Sequence, residues 1–384
     1  MRSYNLLIFV LIVMSCKKPY NPPVISSSNS YLVVEGVINS GSDSTIIKLS
    51  KTFALSSSVT ANPVTQATLT VESDNNNIYP LKEIKAGRYV SPGLNLDVAK
   101  RYRLRIKTID NQQYLSDFVP VKTTPPIDSI GFNITGSGLQ LYANTHDATN
   151  NTRYYRWDFE ETWQFHPKYQ SSYITNGKEI VGRQPSQDIY TCFGSDSSSS
   201  IIIGSSAKLQ QDIIYQTPVT NIPSTSLKIE TKYSILLHEY ALSGDAYSFW
   251  TNLKKNTEQL GSVFDAQPSQ ITGNIHNINN TAEPVIGYIS ACTVSTKRIF
   301  ISNSQLPYWV PAYPDACTAD TFYFSQPQTG INQVGEFMIP IPPGKLALYP
   351  FSKPGTSTLG YLGTDPACAD CTLTGRKQQP PFWK

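Results

Sequence analysis

Short segments in which apolar and polar side chains alternate recur along most of this 384-residue chain, and they constrain its fold more than any other feature. In residues 67–72, for example, Leu69 and Val71 alternate with two threonines and a glutamate. A period of two puts successive side chains on opposite faces of a strand, which is typical of half-buried strands in antiparallel sheets. Because turn-rich pieces separate these segments, the sequence predicts a mainly β protein built from sandwiches.

Two adjacent prolines, Pro125 and Pro126, mark the clearest break in this pattern, because proline removes a backbone donor and fixes φ. Before them we predict an N-terminal β-sandwich over residues 30–124. Its strands include a G-x-Y segment at Gly87 and a Y-x-L-x-I segment at Tyr102, in an order that resembles prealbumin-like and carboxypeptidase-regulatory-type modules. The resemblance implies an immunoglobulin- or prealbumin-like sandwich.

Residues 125–305 are predicted to form a second β-sandwich-like domain with one short helical element. Its clearest strand, RYYRWDFEETW, alternates buried-type aromatic residues with polar ones, whereas the serine-rich insertion from Ser195 to Ser206 predicts an exposed loop. Residues 306–384 are dominated by Pro, Gly and Cys. They predict a loop-rich C-terminal tail that disulfides hold in place.

One segment of the second domain has helical spacing instead of alternation. Ser243 can cap a helix there, and Gly261 can end it. Between them, apolar side chains recur at the spacing of one helix face. These residues are Ala246, Phe249, Trp250, Leu253 and Leu260. The spacing predicts a helix over residues 243–260.

The start of the chain indicates where the protein acts. Arg2 precedes nine apolar residues, Leu6 to Met14, and Lys17 follows soon after. Nine residues are too few to span a bilayer core, which requires about 20 helical residues. The segment therefore predicts a signal peptide over residues 1–15 and export to an oxidising compartment.

The residue that follows this peptide is a cysteine. Ser15 directly precedes Cys16, and Val13 stands three positions before it, which resembles a bacterial lipobox. We expect cleavage before Cys16 and acylation of Cys16 as the lipid anchor, followed by a proline- and serine-rich tether over residues 16–29. The alternative is an ordinary secretory signal with an incidental cysteine.

The composition excludes some classes of protein. Only 15% of the residues are charged and the formal net charge is +3, so the chain lacks the strongly basic face that nucleic-acid binding requires. We expect no nucleic-acid partner. With 23 Tyr, 15 Phe and 5 Trp, the chain has enough apolar surface to bury a core, which rules out wholesale disorder.

Five cysteines remain besides Cys16, and an odd number cannot all pair. They are Cys192, Cys292, Cys317, Cys368 and Cys371. A bond from Cys317 to Cys368 or to Cys371 would close a loop of about 50 residues and stabilise the tail by about 4 kcal/mol in the chain-entropy model. The C-x-x-C pair also allows half a zinc site or a redox motif, but no second C-x-x-C or H-x-x-x-H completes a zinc site. We therefore predict structural disulfides and no metal.

The sequence contains no recognisable catalytic motif. The four histidines are scattered and none forms H-E-x-x-H, and neither a G-x-S-x-G elbow nor a phosphate-binding loop occurs. Glu160 and Glu161 are adjacent, so on a continuous strand they point to opposite faces and cannot flank one glycosidic bond. The prediction is a protein that is not an enzyme, with no catalytic residues and no cofactor.

Two segments are candidates for partner binding. The first is a row of cations on one strand face: Arg101, Arg103, Arg105 and Lys107. It would suit anionic lipids or an acidic loop of a transporter, and the alternative is a solvated face. The second is LPYWVPAYP, in which prolines hold Tyr308, Trp309 and Tyr313 rigid enough to stack on sugars or to anchor a protein. Its alternative is packing against the body of the protein.

The stretch from Gly244 to Ala291 resembles the core of a Bacteroidetes lipoprotein family known as Domain of Unknown Function 4249. The shared features are an aromatic helix (Tyr247, Phe249, Trp250), a G-x-x-F-D-x-x-P turn (Gly261, Phe264, Asp265, Pro268), a GN pair (Gly273, Asn274) and an E-P-V-x-G-Y strand start (Glu283 to Tyr288). The LVVEG, YYRW-x-x-EETW, CADC and PPFW segments fit the same pattern. The resemblance therefore extends over nearly the whole chain.

The family resemblance implies an outer-membrane lipoprotein, commonly found beside TonB-dependent transporters, without an established activity. We therefore expect a non-catalytic accessory or substrate-handling protein of such an uptake system. It would be anchored on the periplasmic or the cell-surface face of the outer membrane and would take a glycan or a peptide as ligand. The alternative is a structural or adhesion module of the cell envelope, and a hydrolase is a more distant one.

Overall fold

The computed structural model describes residues 30–53, 62–258, 273–314 and 316–384, and over these ranges the protein is mainly β, as predicted. The predicted signal peptide and tether, with Cys16, lie outside the described residues. No described helix is long and apolar enough to cross a membrane.

The elements of the described ranges follow in chain order. The first strands are β1 (Leu32–Asn39), β2 (Thr45–Lys51), β3 (Thr68–Ser73), β4 (Ile78–Lys85), β5 (Arg88–Ser91), β6 (Arg101–Lys107), β7 (Gln113–Ser116) and β8 (Val119–Lys122). Next come β9 (Ile127–Thr135), β10 (Gly138–Asp147), β11 (Tyr154–Phe165), β12 (Tyr173–Thr175), β13 (Ile180–Gly182), β14 (Cys192–Ser197), β15 (Ile202–Ser205), β16 (Asp212–Pro223) and β17 (Lys232–Ala241). The remainder comprises helix α1 (Gly244–Glu258), β18 (Ile275–Asn277), β19 (Ala291–Cys292), β20 (Val294–Ser302), β21 (Ala319–Tyr323), helix α2 (Gln333–Phe337), β22 (Leu346–Phe351) and β23 (Gly360–Thr364).

Strands β1 to β8, together with β18 and β19, form one sheet that closes on itself. Its order is β18-β7-β6-β3-β4-β5-β2-β1-β19-β8, and β8 also pairs with β6. Closure removes most of the free edges that an open sandwich would expose to other chains. The predicted N-terminal sandwich is thus a closed barrel, and we call these ten strands the barrel.

Alternating side chains fill the barrel as their period predicts. Leu69 and Val71 of β3 and Leu104 and Ile106 of β6 are at most 1% exposed, while their sequence neighbours face outwards. Burying one such side chain contributes about 1.5–3 kcal/mol. Apolar packing is therefore the main stabilising contribution inside the barrel.

Residues 273–292 pair with the barrel, although the sequence prediction placed them in the domain over 125–305. Strand β19 lies parallel between β1 and β8, and the amide of Val34 donates to the carbonyl of Ile286 at 2.8 Å. Strands β18 and β19 are three and two residues long. Strands this short are too short for a period of two to be recognised in the sequence, so the return to the barrel could not be predicted from alternation.

The second unit is a sandwich of two sheets, as predicted. A three-stranded sheet, β16-β10-β9, faces a four-stranded sheet, β14-β11-β17-β20, and β15 also pairs with β11. Tyr155, Trp157 and Phe159 of β11 point into the core between the two sheets. We call these eight strands the sandwich. Most of the serine-rich insertion is in strands β14 and β15, so only its centre forms the predicted loop.

Helix α1 directly follows β17 of the sandwich and agrees with its prediction. The hydroxyl of Ser243 accepts a hydrogen bond from the amide of Ala246 at 3.2 Å, which caps the first turn. Ala246 and Phe249 are buried. The predicted end of the helix, at Leu260 and Gly261, lies outside the described residues.

The C-terminal region is loop-rich, as predicted, and it also contains a small sheet. Strands β21, β23 and β22 form a sheet with its own small core, to which the β12-β13 hairpin of the preceding region adds Tyr173 and Ile180. Two disulfides, Cys317–Cys368 and Cys192–Cys371, hold this region, so the prediction of disulfides is confirmed. These strands were not predicted because Pro and Gly interrupt the alternation of apolar and polar residues on which the prediction depends.

Candidate functional site

The barrel and the sandwich enclose a cleft of about 1020 Å³. One wall is the outer face of the barrel, from β1, β2 and β5, and the other is the face of β11, β17 and β20 that points away from the sandwich core. Helix α1, the loop over residues 198–201 and residues 286–287 also line it. Because both walls are sheet faces, the side chains that meet in the cleft are those that point away from the barrel core and from the sandwich core.

Arg156 is the most firmly held side chain in the cleft. Its guanidinium lies over the Tyr240 ring at 4.6 Å and over the Trp250 ring at 4.5 Å, and its Nη2 donates to Asp158 Oδ2 at 3.0 Å. Tyr240 stands directly opposite Arg156 on the neighbouring strand, whereas Trp250 comes from α1. Guanidinium on aromatic faces is attractive, so three elements fix one cation in place.

Asp158 also contacts two other polar side chains of the sandwich wall. His238 Nδ1 lies 2.9 Å from Asp158 Oδ1, and the Tyr240 hydroxyl donates to the same oxygen at 3.2 Å. Burial alone would raise the pKa of Asp158, but the hydrogen bond from His238 and the charge of Arg156 hold it below its usual value. Asp158 is therefore ionised at neutral pH and serves as an acceptor.

The Asp158–His238 pair has the geometry in which a carboxylate orients an imidazole. Among the described residues, however, no hydroxyl or thiol is hydrogen-bonded to His238. Glu160 is exposed and Glu161 is buried, so these two carboxylates point to opposite faces of β11, as the sequence predicts. The arrangement suits binding and orientation of a ligand.

The sequence analysis missed the cleft, although a signal was present. Arg156, Asp158 and Glu160 form a charged row on the strand whose other face carries three buried aromatic side chains. A charged row opposite an apolar row is usually read as a solvated face, and only the tertiary structure shows that the barrel covers it. Phe249, Trp250 and Gly287, all within motifs of the family resemblance, also line the cleft.

The other motif residues have structural roles. A Cβ on Gly273 would come within 1.7 Å of the Gly287 carbonyl oxygen, so the close approach of the two segments requires glycine there. Asn274 and Ile289 exchange hydrogen bonds of 2.8 and 2.9 Å, and Glu283 accepts one from the Tyr114 hydroxyl at 3.0 Å. These contacts dock residues 273–292 on the barrel. The G-x-x-F-D-x-x-P turn lies outside the described residues.

The predicted row of cations is partly neutralised. Glu72 pairs with Arg103 at 2.8 Å and also with Arg105, and it comes from the adjacent strand β3. Arg101 donates to the Phe118 carbonyl at 2.6 Å, and Lys107 is exposed. The structure therefore leaves Arg101 and Lys107 as the outer cations of this face, on a strand in the middle of the sheet.

The predicted aromatic surface is divided by the structure. Tyr308 is 93% exposed and its neighbour Val310 is 61% exposed. Trp309 packs against the sandwich core, while burial beside Glu230 raises the pKa of Tyr313 to about 12. Only Tyr308 of the three predicted side chains is presented to solvent.

The cysteine prediction requires one correction. Among the described residues Cys292 forms no disulfide; it is buried at the end of β19 beside Thr124 and Ala241, where burial raises the pKa of its thiol to about 12. The other four cysteines lie in or near the C-terminal region and pair with one another. Each cysteine of the C-x-x-C motif takes a separate partner, which argues against the redox alternative for that motif.

Comparisons with known proteins identify a family but no activity. The model of the family described as "Domain of unknown function (DUF4249)" matches residues 17–298. No curated protein matches the chain. Among solved structures, chitinase ChiA74 from Bacillus thuringiensis aligns at 13% identity and a TM-score of 0.14 over 48% of this chain and 30% of the chitinase. The chain thus spans less than a third of that enzyme, and the TM-score carries no argument.

Proposed function

The chain belongs to the DUF4249 family, and from this premise we propose that it is a lipid-anchored, non-catalytic substrate-handling protein of a TonB-dependent uptake system in a Bacteroidetes outer membrane. The observation that carries the proposal is the cleft between the barrel and the sandwich. Its volume of about 1020 Å³ is at the upper end of the range for small-ligand sites. Its position between two folded units is one that ligand sites favour.

The start of the sequence supports the anchor. The short apolar run and the Ser15-Cys16 junction are the features of an acylated amino terminus. Two or three acyl chains give effectively permanent attachment, since each buried CH₂ contributes about 0.8 kcal/mol. The proline- and serine-rich residues 17–29 would then be the tether between the lipid and the folded part of the chain.

The chemistry of the cleft supports binding rather than catalysis. On the sandwich wall the ionised Asp158 is paired with Arg156 and His238. An ionised carboxylate with three donors is poorly suited to donate or accept a proton in a reaction. The rest of the lining mixes apolar side chains such as Val33 and Leu253 with the serine hydroxyls of residues 197–200, which is typical of a ligand pocket.

Tyr308 and Val310 are the proposed contact with the transporter. A nearly fully exposed tyrosine beside prolines costs little entropy when it docks, because its backbone is already restrained. We expect recovery of a TonB-dependent outer-membrane barrel when the tagged full-length chain is mildly cross-linked in its native cells and purified. Failure to recover any such barrel would contradict the proposal.

Matched variants make this experiment specific. Tyr308→Ala should reduce recovery of the barrel several-fold, whereas Tyr215→Ala should not, because Tyr215 is also 74% exposed but lies on the sandwich strand β16. Cys16→Ser should release the chain from the membrane fraction. A deletion strain with normal nutrient uptake but a leaky envelope would instead favour the structural or adhesion module.

A further inference from the structure

We propose that the cleft recognises a single carboxylate on its ligand, held by Arg88 from the barrel wall and by Arg156 from the sandwich wall. This inference rests on the proposed function, in which the cleft is the ligand site, and it names the chemistry of that ligand. The rest of the ligand would be uncharged. The carboxylate can belong to a sugar acid or to the end of a peptide.

The first observation concerns hydrogen-bond donors without a partner. Among the described residues, three buried side-chain nitrogen or oxygen atoms lack one, and two of these are Arg88 Nε and Arg156 Nε. Both arginines line this cleft. Buried polar atoms are almost always hydrogen-bonded, so each exception calls for an explanation. Because a guanidinium only donates, the missing partner must be an acceptor, and carboxylate is the acceptor that matches it best.

The second observation is a pair of like charges on the barrel wall. Lys48 of β2 stands directly opposite Arg88 of β5, and both side chains line the cleft. Glu35 is opposite Lys48 on β1, but among the described residues it forms no ion pair with Lys48 or Arg88. Like charges directly opposite each other destabilise a sheet. A bound carboxylate would relieve this repulsion.

The third observation is that Arg156 is fixed before any ligand arrives. The guanidinium lies 4.6 Å from the centre of the Tyr240 ring and 4.5 Å from that of the Trp250 ring, and Asp158 holds Nη2. A planar group held in this way loses little entropy when its remaining edge binds an acceptor. Arg156 Nε is the donor of this group that has no partner among the described residues. Replacing the arginine by lysine would keep the charge but lose the planar edge.

The charge of the whole lining limits the ligand to one carboxylate. Lys48, Arg88 and Arg156 are outnumbered by the acidic lining residues, which are Glu35, Asp43, Asp158 and Glu160. A polyanion would therefore be repelled, and long-range attraction would contribute little. Apolar contacts with Val33, Val37, Ile46 and Leu253 remain for the uncharged body of the ligand.

The test compares acids with their neutral analogues. Calorimetry on the mature, acylated chain in detergent would use xylotriose with and without one glucuronic acid, and an acetylated apolar tripeptide as free acid and as amide. We expect one acid to bind about tenfold or more tightly than its neutral analogue, since hydrogen bonds to charged groups are the strong ones. Which pair shows the preference identifies the source of the carboxylate.

Variants then assign the preference to the two arginines. Arg88→Gln and Arg156→Gln should each reduce the acid preference about tenfold, whereas Arg103→Gln, which removes an arginine outside the cleft, should leave it unchanged. If Arg156→Gln fails to fold, Arg88→Gln alone decides, because Arg88 has no ion pair among the described residues.

Equal binding of acid and neutral analogue, or no binding of any of the four probes, would overturn the carboxylate inference. Neither result affects the co-purification with the transporter, which tests the proposed function separately. Loss of co-purification together with retained acid preference would instead reject the uptake role and keep the ligand chemistry.

Discussion

The barrel and the sandwich bury similar apolar strands but differ in the charge that they bury. Among the described residues of the barrel, every buried polar side chain is an uncharged Ser, Thr or Asn. The sandwich buries three carboxylates, Glu161, Asp212 and Glu239, each at most 4% exposed. The barrel therefore depends on apolar packing, whereas the sandwich also depends on keeping buried acids hydrogen-bonded.

Glu239 shows what the buried acids do for the sandwich. It accepts from the Trp157 indole at 2.7 Å and from the Thr145 hydroxyl at 2.9 Å. Thr145 belongs to the three-stranded sheet, while Trp157 and Glu239 belong to the four-stranded one. The carboxylate thus ties the two sheets together at one register. Asp212 and Glu161 are likewise held, by Tyr155 with Ser206 and by Tyr233 with Lys228.

The largest expected effect comes from a disulfide that joins the sandwich to the C-terminal region and does not involve the barrel. Cys192–Cys371 links residues 179 positions apart, so replacing both cysteines by serine should lower the free energy of unfolding by about 5 kcal/mol in the chain-entropy model. Hydrogen exchange followed by mass spectrometry should show lost protection in β14 and in residues 371–384, with the barrel unchanged. Equal loss in β3 and β6 would show that the two units unfold together and would break the comparison.

The next effect is a pH dependence confined to the sandwich. Burial raises the pKa of Glu239 to about 7 from its ordinary 4.5, against its hydrogen bonds from Trp157 and Thr145. The folded state therefore keeps a proton that the unfolded state releases between these two values. Its contribution to stability is complete below pH 4.5, falls as the pH rises towards 7, and amounts to about 3 kcal/mol at most.

Glu239→Gln isolates this effect, because a glutamine side chain cannot titrate. Chemical denaturation from pH 4.5 to 8 should give a steeper fall in stability for the wild type than for the variant. Glu35→Gln, an exposed position on β1, is the control and should keep the wild-type slope. If the stability of Glu239→Gln falls with pH as steeply as that of the wild type, Glu239 is ionised in the folded protein over the whole range from pH 4.5 to 8.

A smaller effect separates the two kinds of buried hydrogen bond. Trp157→Phe removes the donor to a buried carboxylate and should cost about 2 kcal/mol. Tyr102→Phe in the barrel removes a 3.2 Å bond to the Asp97 carbonyl and should cost about 1 kcal/mol. Both tests use urea denaturation at pH 7. A larger cost for Tyr102→Phe would reverse the comparison between the two units.

The same contrast explains which features the sequence could predict. Alternation identified the inward rows of β3, β6 and β11, since burial on one face imposes a period of two. It could not show that residues 273–292 return to the barrel or that the sheet closes, because strand partners depend on long-range pairing. The cleft was missed for the same reason. Each of its walls is an ordinary polar strand face until the other wall is placed against it.

The smallest expected effect concerns a carboxylate on the barrel's outer face. Burial would raise the pKa of Glu72, but its hydrogen bonds and ion pairs with Arg105 and Arg103 lower it below 4.5. Its contribution is therefore present above pH 4.5 and is lost as the pH falls through the lowered pKa. Because the two arginines are 25% and 33% exposed, Glu72→Gln should cost less than about 1 kcal/mol at pH 7, and added salt should reduce the difference.

Glu72 and Glu239 thus respond to acid in opposite directions. Between pH 7 and pH 4.5, protonation of Glu239 stabilises the sandwich, while below pH 4.5 protonation of Glu72 weakens the barrel. Hydrogen exchange on the wild type should therefore show slower exchange in β10 and β17 at pH 5 than at pH 7, after correction for the intrinsic rate. In β3 and β6 the protection should stay constant over this range and fall only in stronger acid. A common pH profile for the four strands would mean that the chain unfolds as one cooperative unit.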